Sequence, residues 1–348
     1  MSRDAAPISV KLGEGSYGCV YEHPIPCRAE LARGRAEGRA EGKGDPKRRH
    51  HMVGKVLREK DAVIELKIST VLQVIPDWRN YFVLQSKADC NRENFARARV
   101  TLADDCGIID RAKDSDLIQL ISSYGGQTLF DTPVTQSFHF EAALRHMLEG
   151  ATRLEEAGVC HFDLHEGNVV VGSGGVLRLI DFGASIVGDA TTEKIVRDHQ
   201  YGFSPEYPPQ PPEMSVQNGV VGGENFEDCI RKTIEAKKVF RLAETYLGTS
   251  REASRAALRA FWVSSGEALA GNWVEFYKMY WRKWDSWAIG VMFLGLIHRS
   301  AIGRSGFEIP AKMRPVLRGL LMASPVNRLT AAQALAMLNA DHRRAASS

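Results

Sequence analysis

The stretch His161–Ala184, HFDLHEGNVVVGSGGVLRLIDFGA, decides the reading of this chain. Asp163 and Asn168 stand five residues apart, and Asp181 follows thirteen residues after Asn168. Between Asn168 and Asp181, two apolar runs flank a Gly-rich turn, the pattern of a β-hairpin. A hairpin of that length returns its ends to one place, so Asn168 and Asp181 are expected to flank a single point. Their side-chain oxygens are hard ligands that suit Mg²⁺. Asp163, on the loop before the hairpin, is placed to orient an acceptor hydroxyl and take its proton. This spacing fits phosphoryl transfer to a protein or to a small molecule, and His165 pulls toward the second.

Upstream, LGEGSYGCV supplies Gly13, Gly15 and Gly18, with Glu14 between the first two and Val20 two residues beyond the last. Glycine lets backbone N–H groups approach a phosphate with no side chain in the way. Another strand follows rather than a helix, which argues against a dinucleotide-binding turn and for a flap between antiparallel strands. In MVGKVL, Lys55 interrupts an apolar strand, and burying an ammonium is costly unless it meets an anion. The α and β phosphates of a nucleotide would serve, with a Glu holding the lysine. Glu65, ten residues on and inside a predicted helix, is the candidate, with Glu59 as the less suitable alternative. A surface lysine on an edge strand is the plainer reading.

The rest of the chain sets limits. Its 348 residues suffice for one large domain or two lobes around a cleft, and 44% hydrophobic with 25% charged residues is ordinary for a globular enzyme. The net charge is +3, and residues 28–49 alone hold eight Lys or Arg against four Asp or Glu, so the remainder is close to neutral. Basicity confined to one segment does not indicate a nucleic-acid-binding domain. Six scattered cysteines without a CxxC pair argue against a zinc site or a disulfide framework and fit a reducing compartment. No secretory leader is apparent at the N-terminus, and the longest apolar run, Trp287–Ile297, reads as a buried helix too short to cross a bilayer. No membrane association is expected.

Three irregular stretches punctuate the pattern. Residues 27–51 read as a disordered or loosely helical insertion, and its KRRHH cluster as a solvated loop. Residues 89–115 read as a loop, and PEYPPQPPE with the SVQNGVVGGE that follows as a Pro-rich turn region unable to continue a helix. Strands are expected at 8–13, 19–23, 53–57, 81–85 and 117–122, with a helix over 61–74. Phe140, Leu144, Met147, Leu148, Ala151 and Leu154 share one face of a helix that Gly158 ends. Helices are expected over 225–246 and 250–284. In the second, Trp273, Phe276, Tyr277, Tyr280, Trp281 and Trp284 recur at helical steps as core. The fold class is α+β, strand-rich first and helical after.

With these residues quoted, the chain resembles the eukaryotic-type protein kinases over essentially its whole length. GEGSYGCV is similar to their Gly-rich loop, VGK to the ATP-anchoring lysine motif, HFDLHEGN to the catalytic loop and IDFG to the metal-binding motif. SPE or PPE resembles the end of the activation segment, DSWAIG the DxWxxG helix start, and PVNRLTAAQAL the last, Arg-bearing segment. The insertions and the VGK motif resemble most the serine/threonine kinases of large DNA viruses.

The resemblance implies a bilobal fold over residues 1–342. A small β-rich lobe would end near 122, and a larger helical lobe would span 126–342 with an insertion at 214–284. Residues 343–348 would form a disordered tail. ATP and Mg²⁺ are the implied cofactors. Gly13, Glu14, Gly15, Gly18 and Val20 would cover the nucleotide, Lys55 would pair with Glu65, and Ser123 and Tyr124 would lie in a 122–125 hinge that holds adenine. Asp163 would be the base, His165 would approach the transferring phosphate, and Asn168 and Asp181 would bind metal. Arg328 would pair with Glu206, favoured by spacing, or Glu213, favoured by the PPE tripeptide. The implied location is intracellular, cytoplasm or nucleus, in a host cell if the chain is virus-encoded.

Two departures stand out. Phe162 replaces the Arg that binds an activation-loop phosphate, which implies activity without loop phosphorylation. His165 replaces a Lys and resembles the HGDLHPGN-like loop of small-molecule phosphotransferases. The DxWxxG and PVNR segments favour a protein serine or threonine as acceptor. A small-molecule phosphotransferase is the alternative, as is a pseudokinase that binds ATP and docks partners. The 214–284 insertion offers a surface for a docking partner or a block on the substrate groove.

Overall fold

A computed structural model of the chain describes residues 10–15, 18–25, 52–91, 106–107, 116–134, 138–302 and 308–345. The insertion at 27–51 and most of the 89–115 stretch lie outside them. The chain is mixed α+β, with a small antiparallel sheet in its N-terminal part and helices in its C-terminal part. It forms two compact units. One comprises Met1–Arg79, Val83–Gly125 and Asp181–Gly183, and the other Asn80–Phe82, Gly126–Ile180 and Ala184–Ser348. Among the described residues, no helix is long and apolar enough to cross a membrane.

The sheet unit holds β1 (Lys11–Glu14), β2 (Gly18–Tyr21), β3 (Met52–Arg58), α1 (Glu59–Leu72), β4 (Ser86–Asn91) and β5 (Leu117–Ser123). The strands run antiparallel in the order β1-β2-β3-β5-β4. Glu59 and Asp61 in the first turn of α1 complement the helix dipole. Ala62, Glu65, Ile68, Ser69 and Leu72 form its buried face, and Ala62 and Leu66 pack on Leu57, Ile118 and Leu120 of the sheet. The strand expected at 81–85 is instead an extended segment with a single bridge, Phe82 to Leu179; the ladder with β5 begins at Ser86. Tyr81 stacks on His146 and lies under Arg153, so these apolar residues serve side-chain packing rather than pairing.

The helical unit begins with β6 (Gln127–Thr128) and α2 (Phe140–Glu156), whose expected apolar face is buried and which ends before Gly158 at φ +73. β7 (Val159–Cys160) pairs with β10 (Ile186–Val187), while β8 (Val169–Val171) and β9 (Leu177–Leu179) make the expected hairpin, flanked by β6. After α3 (Glu193–Asp198) comes α4 (Pro212–Val221), which overturns the turn-only reading of that segment. Pro212 sits at the helix start, where its missing N–H has no intrahelical partner to lose.

The two long helices expected next are broken. Lys237, with extended backbone, separates α5 (Phe226–Ala236) from α6 (Lys238–Leu247). Then follow α7 (Arg251–Ser264), the short α8 (Gly266–Leu269), α9 (Trp273–Tyr280) and α10 (Trp284–Ala301), with Ser250, Ser265 and Asn272 as side-chain caps that start new helices. Phe276, Tyr277, Tyr280, Trp281 and Trp284 are buried, as a core stripe should be. Helix α10 is buried almost all round and anchors the unit. α11 (Met313–Leu320) and α12 (Ala331–Ala345) complete it. α12 continues through Ala345, into the segment expected to be a disordered tail, because Arg and Ala are good helix formers.

Candidate functional site

In the sheet unit the sequence-predicted residues converge. Lys55 on β3 and Glu65 on the buried face of α1 are almost fully buried. The Lys55 ammonium contacts Glu65 at 2.9 Å and Asp181 at 2.8 Å, so one cation serves two carboxylates. Burial alone would lower the Lys55 pKa, but the two carboxylates outweigh it and the lysine is held above its usual range, fully charged. Glu59, the alternative partner, instead pairs with the exposed Lys87. Asp181 adopts φ +61, a left-handed conformation costly for a non-glycine residue and one that functional sites tend to retain. The hard oxygens of the Glu65 and Asp181 carboxylates are of the kind that fit a divalent cation.

Gly13, in β1 opposite Val20, and Gly15, on the β1–β2 turn with its N–H on the Gly18 carbonyl at 2.9 Å, have nothing within 4 Å of a notional Cβ. Gly18 is different. A Cβ there would lie 2.5 Å from the Val56 carbonyl oxygen, so its missing side chain lets β2 pack closely on β3. Val20 stands opposite Lys55 in the ladder. The Glu14 carboxylate accepts from Lys11 at 3.2 Å and from the Gly107 N–H at 3.1 Å. Ser123 closes β5 opposite Met52, and Tyr124 follows it, exposed. Cys19 on β2 is disulfide-bonded to Cys106, a correction to the expectation of unpaired thiols. A missing CxxC excludes only local pairing, and these two cysteines are 87 residues apart.

In the helical unit, the loop between β7 and β8 is fixed from below. The buried Asp285, on α10, accepts from the backbone N–H of His161 at 2.7 Å and of Phe162 at 3.0 Å. Burial pushes the Asp285 carboxyl up, opposed by His161 and these donors. Phe162 is forced to φ +70, and its ring packs edge-on against His199 and Trp284. The position where the resembled family carries an Arg is therefore an aromatic cluster. His161 Nε2 meets the Ile180 carbonyl at 2.9 Å.

Asp163 and Asn168 are brought together here. The Asn168 amide N–H₂ donates to the Asp163 carbonyl at 2.9 Å, which turns the amide oxygen to the other side of the group. Asn168 carbonyl accepts from Ile180 N–H at 3.0 Å, so the hairpin returns the chain to Asn168 at the residue before Asp181. His165 Nδ1 accepts from Gly167 N–H at 3.0 Å, which puts the proton of the neutral ring on Nε2, 3.7 Å from Asp163 Oδ2. A Cβ on Gly167 would lie 2.8 Å from this ring. The Tyr207 hydroxyl donates to Asp163 Oδ1. Burial works to raise the Asp163 carboxyl; hydrogen bonds from His165 and Tyr207 prevail and hold it below the usual carboxylate range.

Arg328 pairs with Glu213, not Glu206. Two guanidinium nitrogens each donate to Glu213 at 2.7 Å, with both side chains fully buried. Glu206 is exposed, and spacing misled because Pro212 starts a helix that carries Glu213 inward. Sequence reasoning also missed Tyr207 and Asp285 as partners of the Asp163 loop. The only available signal was chemical, an Asp inside an apolar helix and a Tyr amid prolines.

No protein-family model and no curated protein matches the chain.

Proposed function

We propose that the chain is an ATP-dependent serine/threonine protein kinase with a bilobal kinase-like fold. The observation that carries this reading is the buried Lys55 ammonium shared by Glu65 and Asp181, three residues taken from a strand, a helix and the IDFG motif. A structural ion pair needs one carboxylate; the second, Asp181, brings a hard oxygen donor to the same ammonium. Bound ATP and Mg²⁺ would supply the transferable phosphoryl group and its neutralisation. Lys55 would hold the α and β phosphates, and the Gly13 and Gly15 backbone would line them. Asp181 and the Asn168 amide oxygen are the groups suited to metal. Asp163, ionised through the neutral range, would orient the acceptor hydroxyl and accept its proton while His165 Nε2–H faces the same carboxylate.

The Arg328–Glu213 pair and the Asp285 contacts support a protein acceptor, since they brace the segments that would carry a peptide. Phe162 in its aromatic cluster supports activity without loop phosphorylation. Nucleotide binding tests the reading. Mg²⁺-ATP at 100 times its Kd should stabilise the chain by about 2.7 kcal/mol, read as a melting shift, and Lys55→Met should abolish the shift. A wild-type chain whose melting ignores Mg²⁺-ATP would overturn the proposal.

A further inference from the structure

The Cys19–Cys106 bond is attached to the same β1–β2 hairpin that carries Gly13, Gly15 and Gly18, and it takes no part in the chemistry assigned so far. Opposed residues of an antiparallel pair share a face of the sheet, and successive residues alternate between faces. Val20 is opposed by Gly13 in β1 and by Lys55 in β3, so these three share one face. Cys19 and its β1 partner Glu14 lie on the other. From that far face both strands are fastened to one short piece of chain. Cys106 is bonded to Cys19 on β2, and the neighbouring Gly107 N–H donates to the Glu14 carboxylate on β1 at 3.1 Å. The β1–β2 turn is therefore held at both of its ends.

The two holds differ in kind. The Glu14 contact is an exposed hydrogen bond, for which water competes. The disulfide is covalent and opens only by exchange with a thiol. Both of its cysteines are buried, so the exchanging partner must be small enough to enter when the hairpin opens locally. Cys160 and Cys229, by contrast, are free and lie in the helical unit. We propose that Cys19 and Cys106 form a redox site that sets nucleotide affinity: closed, it holds the β1–β2 turn in place and Mg²⁺-ATP binds more tightly; opened, it releases the turn and binding weakens. A turn already held loses less conformational freedom when a nucleotide orders it. Closure consumes a low-molecular-weight disulfide of the glutathione type. One protein thiolate attacks it and releases one glutathione, and the second protein thiolate displaces the other. The glutathione S–S bond breaks as the Cys19–Cys106 bond forms, and two electrons and two protons pass from the protein thiols to two glutathione thiols. This rests on the kinase reading and adds to it a control on the nucleotide site.

The test is titration of the full chain with Mg²⁺-ATP in oxidised and in reduced glutathione. The Kd should be about three- to tenfold lower in the oxidised buffer, and Cys106→Ser should bind with the reduced wild-type Kd in both. Linkage adds a second readout that a purely structural bond would not give. At a fixed glutathione ratio, saturating Mg²⁺-ATP should raise the ratio of disulfide to dithiol, counted by thiol alkylation and mass spectrometry, by the same factor as the Kd shift. Equal affinity in the two buffers overturns the proposal, as does tighter binding in the reduced one. A shift that Cys106→Ser retains also overturns it, by assigning the effect to other cysteines, and so does a bond that reduced glutathione leaves intact. If the wild type binds no Mg²⁺-ATP in either buffer the kinase reading fails by itself, and hydrogen exchange of the β1 and β2 amides decides the redox site. Faster exchange in the reduced chain supports it, and equal exchange overturns it.

Discussion

Replacing Arg328 by Met should destabilise the helical unit by about 3–5 kcal/mol, the usual cost of removing one partner from a buried ion pair. The Arg328 and Glu213 side chains are both 0% exposed, and the guanidinium also donates to the Met322 carbonyl at 2.9 Å and lies 5.0 Å over the Trp287 ring. Met restores the bulk of the side-chain stem but leaves the Glu213 carboxylate buried and unpaired. Urea unfolding followed by tryptophan fluorescence reads the effect, because Trp262, Trp273, Trp281, Trp284 and Trp287 lie in the helical unit and only Trp78 in the sheet unit. With a slope of about 1–3 kcal/mol per molar urea, the midpoint should fall by about 1 M or more. Glu206→Gln, at the exposed alternative partner, should change stability by no more than about 0.5 kcal/mol. Adding Glu213→Leu to Arg328→Met should recover much of the loss by removing the stranded charge. Equal midpoints for Arg328→Met and Glu206→Gln would refute the assignment of this pair as a structural anchor.

Lys237 is nearly fully buried, and burial, opposed by Glu213 and Glu206, pushes its pKa down from 10.5 to about 7. The unfolded chain therefore binds an extra proton between pH 7 and 10.5, so the penalty is complete below pH 7 and fades as pH rises toward 10.5. Lys237→Met should be more stable than wild type at pH 6, by up to about 4–5 kcal/mol less the lost hydrogen bond to Tyr207, and the gap should close by pH 10; a gap independent of pH in parallel melts would contradict this. The Cys19–Cys106 bond closes a loop of 87 residues, for which chain entropy gives about 4–5 kcal/mol. Non-reducing peptide mapping should recover the two peptides joined, and Cys106→Ser should lower the melting temperature of the sheet unit; two free thiols in the purified chain would count against it.

What was legible in the sequence is what local chemistry encodes. The Lys55–Glu65 pair could be read because a glutamate ten residues along a strand–helix junction falls on the buried helix face, between Ala62 and Ile68. The β8–β9 hairpin could be read from its Gly-rich turn, and the aromatic stripe from its helical spacing. What escaped depends on distance in the chain. Tyr207 meets Asp163 across 44 residues and Asp285 meets His161 across 124, so local chemistry can mark these residues but not their partners. Glu213 and Glu206 differ only in which one a helix turns inward, a decision made by packing around α4. The segment 225–284 read as two helices because its apolar period is continuous, while its caps at Ser250, Ser265 and Asn272 cut it into shorter ones. Gly18 read as a phosphate glycine from its motif, and its packing against Val56 was not legible, since both roles ask for the same missing side chain.

The most direct test of the central claim is transfer of labelled γ-phosphate from Mg²⁺-ATP by the full chain to a mixed protein pool and, in parallel, to a panel of small-molecule alcohols, with Asp163→Asn as control. The account predicts label on protein serine or threonine, undiminished by prior phosphatase treatment of the enzyme because Phe162 binds no loop phosphate. It also predicts loss of that label in Asp163→Asn by about a hundredfold or more, the usual contribution of a positioned base. Label on small molecules alone, or equal transfer by Asp163→Asn, would contradict it.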